Sequence, residues 1–208
     1  SDEISQLMGI SANLADLNTE RFARFGTQDK KPAMFAFAGD TYQGLDAKTL
    51  SDEDVVWAQD HLRILSGLYG LLRPLDKIEP YRLEMGSSLP TNRGKNLYDF
   101  WGTEISTELN NDAMKTGTQF LLNCASKEYF SAIEINSLKL KVITPVFLEN
   151  AAIKPRIVSF YAKKARGAMA RFVVQNKITT IKELILFDAG GYAFQPDLSD
   201  AQTLYFVR

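Results

Sequence analysis

The chain has 208 residues, of which 45% are hydrophobic and 24% are charged, the balance of an ordinary soluble globular protein. No apolar run reaches the length of a membrane span and no signal peptide opens the sequence, so a membrane partner is not expected. The single cysteine, Cys124, cannot form an internal disulfide, which fits the reducing cytoplasm. We therefore expect a cytoplasmic protein.

The net charge of −1 excludes a generally polycationic protein, but the charge is unevenly distributed along the chain. Residues 1–60 contain eleven acidic and five basic side chains. Residues 150–182 contain eight basic side chains and no acidic one. This asymmetry indicates a local positive surface and an anionic partner.

The first sixty residues are predicted to be mostly helical. Apolar residues from Ile4 to Phe25 follow helical spacing with a break around 9–11, which predicts two helices. The apolar run at 33–38 is typical of a buried strand. Ser51 and Asp54 have the spacing of a capping box, which predicts a helix over residues 52–65. The acidic residues 52–54 could instead bind a metal, but capping and the helix dipole account for them.

Helical and strand patterns alternate in the rest of the chain. The runs 97–101 and 105–109 together predict one helix, a second is predicted over 162–175, and a short helix follows the N-cap Ser126. Strands are predicted over 120–124, 142–148 and 157–161, and 192–194 and 204–207 are predicted to pair as a hairpin. Thr180 and Glu183 have the spacing of a second capping box. We therefore expect a single mixed α/β domain over residues 1–208, with a mixed sheet flanked by helices.

The stretch from His61 to Gly86 combines two glycines three residues apart with two prolines and four basic residues. Its segment 65–71 has the apolar-x-Gly-apolar-x-Gly pattern of a helix-hairpin-helix. In that motif the glycines let backbone N–H groups point at a DNA phosphate. Pro74 counts against the second helix, so a purely structural glycine turn is the alternative. The arginines of this stretch could instead pair with its carboxylates.

The strongest local pattern is the basic helix predicted over 162–175. One face is apolar, and the other carries Lys163, Lys164, Arg166 and Arg171. No acidic residue lies four positions away to neutralise them. The small residues Ala168 and Ala170 leave room beside this stripe for a phosphate backbone. The alternative is an ordinary solvated face of an amphipathic helix.

The segment 123–129 places polar groups between an apolar strand and a short helix, where α/β proteins commonly bind anions. Cys124 could be a nucleophile, but the only histidine, His61, is predicted in a helix with no reason to face it. A structural cysteine is favoured. The chain has no Gly-rich phosphate loop, and one histidine with one cysteine gives no metal-ligand spacing. We expect no cofactor and no bound metal.

Five segments resemble the YaaA family of bacterial peroxide-stress proteins: FAGDTYQGL (37–45), LSGLYGLLRPLDKIEPYRLEMG (65–86), LYDFWG (97–102), NCASKEYF (123–130) and SFYAKKARGAMARF (159–172). The resemblance implies a DNA-binding protein of mixed α/β fold, with a positively charged cleft and a helix-hairpin-helix-like element. It also implies that the protein limits oxidative damage by holding down intracellular free iron. Family members begin with a strand and a Ser-Pro-Ala-Lys segment, which we expect to be missing from this domain.

The resemblance assigns DNA contact to residues within the matching segments, namely Gly67, Tyr69, Gly70, Arg73, Arg82, Lys127, Lys163, Lys164, Arg166 and Arg171. We expect the cations to neutralise phosphates, the glycine turn to fix one phosphate and Tyr69 to stack on an unpaired base. No catalytic residue is implied, so we expect a binding protein. The alternative is an enzyme acting on a nucleic acid or nucleotide near Arg82, Glu84, Lys127 and Glu128. A direct iron store is disfavoured, because the sequence lacks ligand spacing.

Overall fold

The computed structural model describes residues 1–208, which form two compact units, each assembled from separate stretches of the chain. The first unit contains Ser1–Ala36, Arg63–Leu109 and Lys127–Leu138. The second contains Phe37–Leu62, Asn110–Ser126 and Lys139–Arg208. None of the helices is both long and apolar enough to cross a membrane.

Helices and strands alternate along most of the chain, which confirms the predicted mixed α/β class. The helices are α1 (Asp2–Met8), α2 (Ala12–Ala23), α3 (Ala33–Ala36), α4 (Asp40–Leu45), α5 (Asp52–His61), α6 (Leu97–Trp101), α7 (Glu104–Thr116), α8 (Lys127–Phe130), α9 (Ser159–Asn176) and α10 (Ile181–Leu184). The strands are β1 (Lys31–Pro32), β2 (Ile64–Ser66), β3 (Gly70–Leu72), β4 (Lys77–Ile78), β5 (Phe120–Leu122), β6 (Lys141–Leu148), β7 (Ala193–Phe194) and β8 (Thr203–Val207).

Both predicted capping boxes are present. The backbone N–H of Asp54 donates to the Ser51 hydroxyl at 3.1 Å, and the Ser51 N–H donates to the Asp54 carboxylate at 3.2 Å. Thr180 and Glu183 form the second box at the start of α10. The helix that follows Ser51 ends at His61, four residues before the predicted end, because the chain then becomes extended and enters β2.

Residues 64–72 form a β-hairpin, which corrects the predicted helix-hairpin-helix. Ile64 pairs with Leu72 and Ser66 with Gly70 in an antiparallel ladder. Gly70 has a left-handed φ of 73°, the conformation that closes a short hairpin loop at little cost when the residue is glycine. Burial alternates along both strands with a period of two, so the glycine spacing reflects hairpin geometry.

Two of the predicted strands are wrong, because a helix begins in each of these segments. The apolar run at 33–38 begins with α3, and only the preceding Lys31 and Pro32 form a strand, paired with β4. The run contains alanine, methionine and phenylalanine without a β-branched residue, and its first two residues are strong helix formers. The predicted strand 157–161 is also wrong, since α9 begins at Ser159 and only Arg156 forms a bridge, with Glu149.

The second unit contains a four-stranded mixed sheet in the order β5-β6-β8-β7. Strands β5, β6 and β8 are parallel, and β7 pairs antiparallel with β8, which confirms the predicted terminal hairpin. A hydrophobic core lies around this sheet and α9, and it includes Ile143, Phe147, Met169, Phe187 and Phe206. Because the three parallel strands end at one edge, the residues that follow them, Asn123, Glu149 and Arg208, lie along that edge.

Helices α4 and α9 cross at a close contact to which each helix contributes one glycine. A Cβ added to Gly167 of α9 would overlap the carbonyl oxygen of Thr41, and one added to Gly44 of α4 would overlap that of Lys164. The backbones therefore touch at a distance that only glycine permits. This crossing anchors the face of α9 opposite the one that packs in the core.

Candidate functional site

The ten residues predicted to contact DNA belong to different units. The first unit contains Gly67, Tyr69, Gly70, Arg73, Arg82 and Lys127, and the second contains Lys163, Lys164, Arg166 and Arg171. Their environments differ, and burial and hydrogen bonding decide which side chains are available to a ligand.

The hairpin loop of the first unit is packed against protein. Gly67 and Gly70 are buried, and the carbonyl of Gly67 accepts a hydrogen bond from the Trp101 indole at 3.1 Å. A Cβ on Gly70 would overlap the Trp101 ring. The N–H of Tyr69 donates to the Ser66 hydroxyl at 2.8 Å. The two glycines therefore have a clear packing role, and phosphate contact by this loop stays a prediction.

Tyr69 and Tyr81 form an aromatic pair beside the hairpin, with ring centroids 5.5 Å apart in an edge-to-face arrangement. The Tyr69 hydroxyl accepts a hydrogen bond from the N–H of the buried Glu79 at 3.2 Å. Burial raises the pKa of Tyr81 to about 12, although its hydrogen bond with Ser66 lowers it. The Tyr81 phenol therefore stays protonated near neutral pH.

Arg82, Glu84 and Tyr129 come together on the surface of the first unit. The Tyr129 hydroxyl donates to Glu84 Oε2 at 2.6 Å, and Arg82 Nε lies 3.7 Å from Glu84 Oε1. Burial, and then the hydrogen bond to Glu84, raises the pKa of Tyr129. The cluster places a protonated phenol, a carboxylate and a guanidinium side by side, and Glu84 is the group in it that could act as a base on an anionic substrate bound by Arg82.

Two other residues of the alternative site lie near this cluster in sequence but have their own surroundings. Glu128 accepts a hydrogen bond from the N–H of Gly86 at 2.9 Å, and Lys127 is the exposed first residue of α8. Sequence reasoning missed Tyr129, which lies within the NCASKEYF segment, because a phenol three residues into a short helix has no motif of its own.

Two arginines of α9 make contacts inside the second unit. Arg171 Nη1 donates to the carbonyls of Leu45 and Asp46 at 3.0 Å and 2.9 Å, so it caps the C-terminal end of α4. Arg166 Nη1 donates to the carbonyl of Ala125 at 2.9 Å, and burial lowers the pKa of its guanidinium. Both side chains therefore support the fold.

Cys124 follows β5 and packs against the core of the second unit. Burial raises the pKa of its thiol to about 12, although the charge of Arg166 opposes the shift. The thiol is therefore protonated near neutral pH, which fits the favoured structural role.

His61 stacks on Trp57 within α5, with ring centroids 3.8 Å apart. No group of three or more His, Cys, Asp or Glu side chains in residues 1–208 is placed to hold a metal ion.

Lys163 and Lys164 are exposed on the first half of α9. The space that Ala168 and Ala170 were predicted to leave for a phosphate backbone is partly taken by α4, because Gly44 lies against the backbone of Lys164 and Ala168. The exposed positive charge therefore lies towards the beginning of α9 and in the loop before it. We call Lys154, Arg156, Lys163 and Lys164, all exposed, the basic segment.

Two aromatic side chains lie between Arg156 and Lys163 of the basic segment. Phe160 is 53% exposed and Tyr161 is 43% exposed. The Arg208 guanidinium lies 4.6 Å from the Tyr161 ring and donates to Glu149 at 2.9 Å. Desolvation alone would raise the pKa of Glu149. Hydrogen bonds from Tyr192 and Arg208 outweigh this effect, so the pKa of Glu149 is lowered. Sequence reasoning missed Phe160 because the segment 157–161 was predicted as a strand.

Comparison with known proteins gives a consistent result. The family model described as Peroxide stress protein YaaA matches residues 1–198 of the chain. A UPF0246 protein of Roseobacter denitrificans is 56% identical, over 99% of this chain and 82% of that protein. UPF0246 proteins of Ruegeria pomeroyi and Dinoroseobacter shibae are each 55% identical, over 82% and 79% of their lengths. The predicted resemblance is confirmed: the chain belongs to the peroxide stress protein YaaA family, which supports a role in peroxide stress.

Proposed function

We propose that this protein binds DNA through phosphate contacts of the basic segment, without strong sequence specificity, and thereby limits oxidative damage to DNA during peroxide stress. The observation that carries the proposal is the exposure of Lys154, Arg156, Lys163 and Lys164 in a stretch of chain that has no acidic residue from 150 to 182. Cations that neutralise phosphates release condensed counterions, which favours binding to any DNA sequence.

The structure of α9 supports this role in two ways. The helix is held by the core on one face and by α4 on the other, so Lys163 and Lys164 project from a rigid element. The basic segment also lies at the N-terminal end of an 18-residue helix. The helix dipole places partial positive charge there, which favours phosphate.

Phosphate contact also offers a route to iron limitation at the DNA. Ferrous ions are among the counterions that phosphates attract, and ferrous ion reacts with hydrogen peroxide to give ferric ion, hydroxide and a hydroxyl radical. A protein that neutralises phosphates displaces such counterions. Under this proposal less iron is held where the radical would attack DNA, and the protein itself needs no iron site.

The test is a salt titration with two labelled 20-bp duplexes of unrelated sequence, followed by fluorescence anisotropy. Four phosphate contacts predict an affinity that falls roughly 100-fold between about 50 and about 200 mM salt, equally for both sequences. Absence of binding at the lowest salt, or an affinity that salt does not change, would contradict the proposal. A large difference between the duplexes would contradict the lack of specificity.

The cluster of Arg82, Glu84 and Tyr129 favours a second candidate, an enzyme acting on nucleic acid. The 2.6 Å hydrogen bond from Tyr129 to Glu84 holds a carboxylate in place at the surface, beside a guanidinium. This candidate predicts turnover of a damaged or branched DNA that is lost in Glu84→Gln, while DNA affinity is retained. If neither the wild type nor Glu84→Gln turns over any substrate of such a panel, the enzyme candidate is contradicted and DNA binding stays as the proposed function.

A further inference from the structure

We propose that Phe160 stacks on an unpaired DNA base beside the phosphates held by Lys163 and Lys164, so that the basic segment prefers single-stranded or locally unpaired DNA to intact duplex. The inference rests on the proposed function and names its substrate class. It also assigns base stacking to Phe160 of the second unit, a residue outside the set predicted from the sequence.

The first observation is an apolar surface inside a basic one. Phe160 is 53% exposed, and the preceding loop exposes Ile157 by 62% and Ile153 by 97%. Lys154 and Arg156 alternate with these apolar residues, and Lys163 follows them. Proteins that bind single strands place exposed aromatic rings beside cations, so that rings receive bases and cations receive phosphates, and Phe160 with Lys163 has this arrangement.

The second observation is spacing. Lys163 and Lys164 lie three and four residues after Phe160 in the same helix, so they are its neighbours on the helix surface. Their Cβ atoms lie about 5–6 Å from that of Phe160. The base and phosphate of a nucleotide are joined through one sugar, so a ring and a cation one helical turn apart match the two ends of one nucleotide.

The third observation is that the Phe160 ring is held in place by a series of contacts with neighbouring side chains. The Phe160 ring packs edge to face against Tyr161, with centroids 5.5 Å apart. The Tyr161 ring lies 4.6 Å from the Arg208 guanidinium, which donates to Glu149 and to the carbonyl of Gly190. These contacts limit the motion of the Phe160 ring before a ligand binds. Less conformational entropy is therefore lost when the ligand orders it.

The exposed Phe160 ring beside the two lysines favours a single strand over an intact duplex. An intact duplex offers phosphates but hides its bases, so it would leave the ring exposed to water. A single strand satisfies both the ring and the lysines. An anionic membrane surface would also match charge and apolar side chains, and it is therefore included as an outcome of the test.

The experiment compares the wild-type protein with Phe160→Ala, Phe160→Trp and the control Leu186→Ala, which truncates another exposed apolar residue of the second unit. The probes are labelled oligo-dT of 15 nucleotides and a 15-bp duplex. We expect Phe160→Ala to weaken binding to oligo-dT roughly ten-fold and to the duplex less than about two-fold, since stacking contributes about 1–3 kcal/mol per base. Phe160→Trp should retain affinity, and Leu186→Ala should match the wild type.

A second readout is specific to stacking. A 2-aminopurine base within oligo-dT should be quenched by the wild type and by Phe160→Trp, but not by Phe160→Ala. Equal losses for both probes, or no loss for oligo-dT, would overturn the inference while leaving DNA binding intact. Failure of the wild type to bind either probe would overturn the proposed function itself. Binding to anionic phosphatidylserine vesicles that depends on Phe160, without oligo-dT binding, would assign the surface to a membrane instead.

Discussion

Replacing Gly167 with alanine is expected to lower the free energy of unfolding by about 3 kcal/mol or more. The added Cβ would overlap the carbonyl oxygen of Thr41 and approach the backbone of Leu45, and neither is the end of a flexible side chain. The two helices would have to separate, which would also pull the C-terminal end of α4 away from Arg171.

The sign of this effect makes it diagnostic. In an isolated helix the same substitution is stabilising by about 1 kcal/mol, because alanine is the better helix former. Urea denaturation of Gly167→Ala and Gly44→Ala measures the effect, and Gln175→Ala, at an exposed position of α9, is the control with a change near zero. A Gly167→Ala protein as stable as the wild type would show that α4 and α9 do not cross as closely as described.

Reversing both lysines, in Lys163→Glu/Lys164→Glu, is expected to weaken DNA binding at least about 100-fold at low salt. Two of the four cations of the basic segment are lost, and two anions are placed where phosphates would lie. Both side chains are exposed, so the stability of the fold should change little. Fluorescence anisotropy with the 20-bp duplex measures the loss of affinity.

The control for this prediction carries the same change in net charge. Lys139 and Lys141 are exposed in the second unit outside the basic segment, and Lys139→Glu/Lys141→Glu should weaken binding less than about five-fold. Equal losses in the two double variants would attribute binding to net charge. Wild-type affinity in Lys163→Glu/Lys164→Glu would remove the basic segment from the interface.

Local patterns could be predicted from the sequence. The capping boxes at Ser51 and Thr180 depend on contacts three residues apart, and both form as expected. The helix break near Gly9 and the terminal hairpin depend on short-range spacing and are also present. The mixed α/β class follows from the alternation of such elements along the chain.

The roles of individual site residues depended on partners distant in sequence. Arg171 donates to a carbonyl 126 residues away and Arg166 to one 41 residues away, and neither partner could be identified from a basic helix pattern. The two glycines of the hairpin suggested a phosphate-binding turn, but Trp101, 34 residues after Gly67, packs against this loop. Phe160 was missed because of its local sequence, since the β-branched and aromatic residues at 157–161 predicted a strand where the first turn of α9 begins.

The most direct test of the central claim counts the phosphate contacts made by the two lysines of α9. The slope of log association constant against log salt concentration is measured for duplex DNA with the wild type and with Lys163→Gln/Lys164→Gln. If both lysines contact phosphates, neutralising them should reduce the magnitude of the slope by about 1.8. A slope identical to that of the wild type would contradict the account, because the DNA would then be bound elsewhere on the protein.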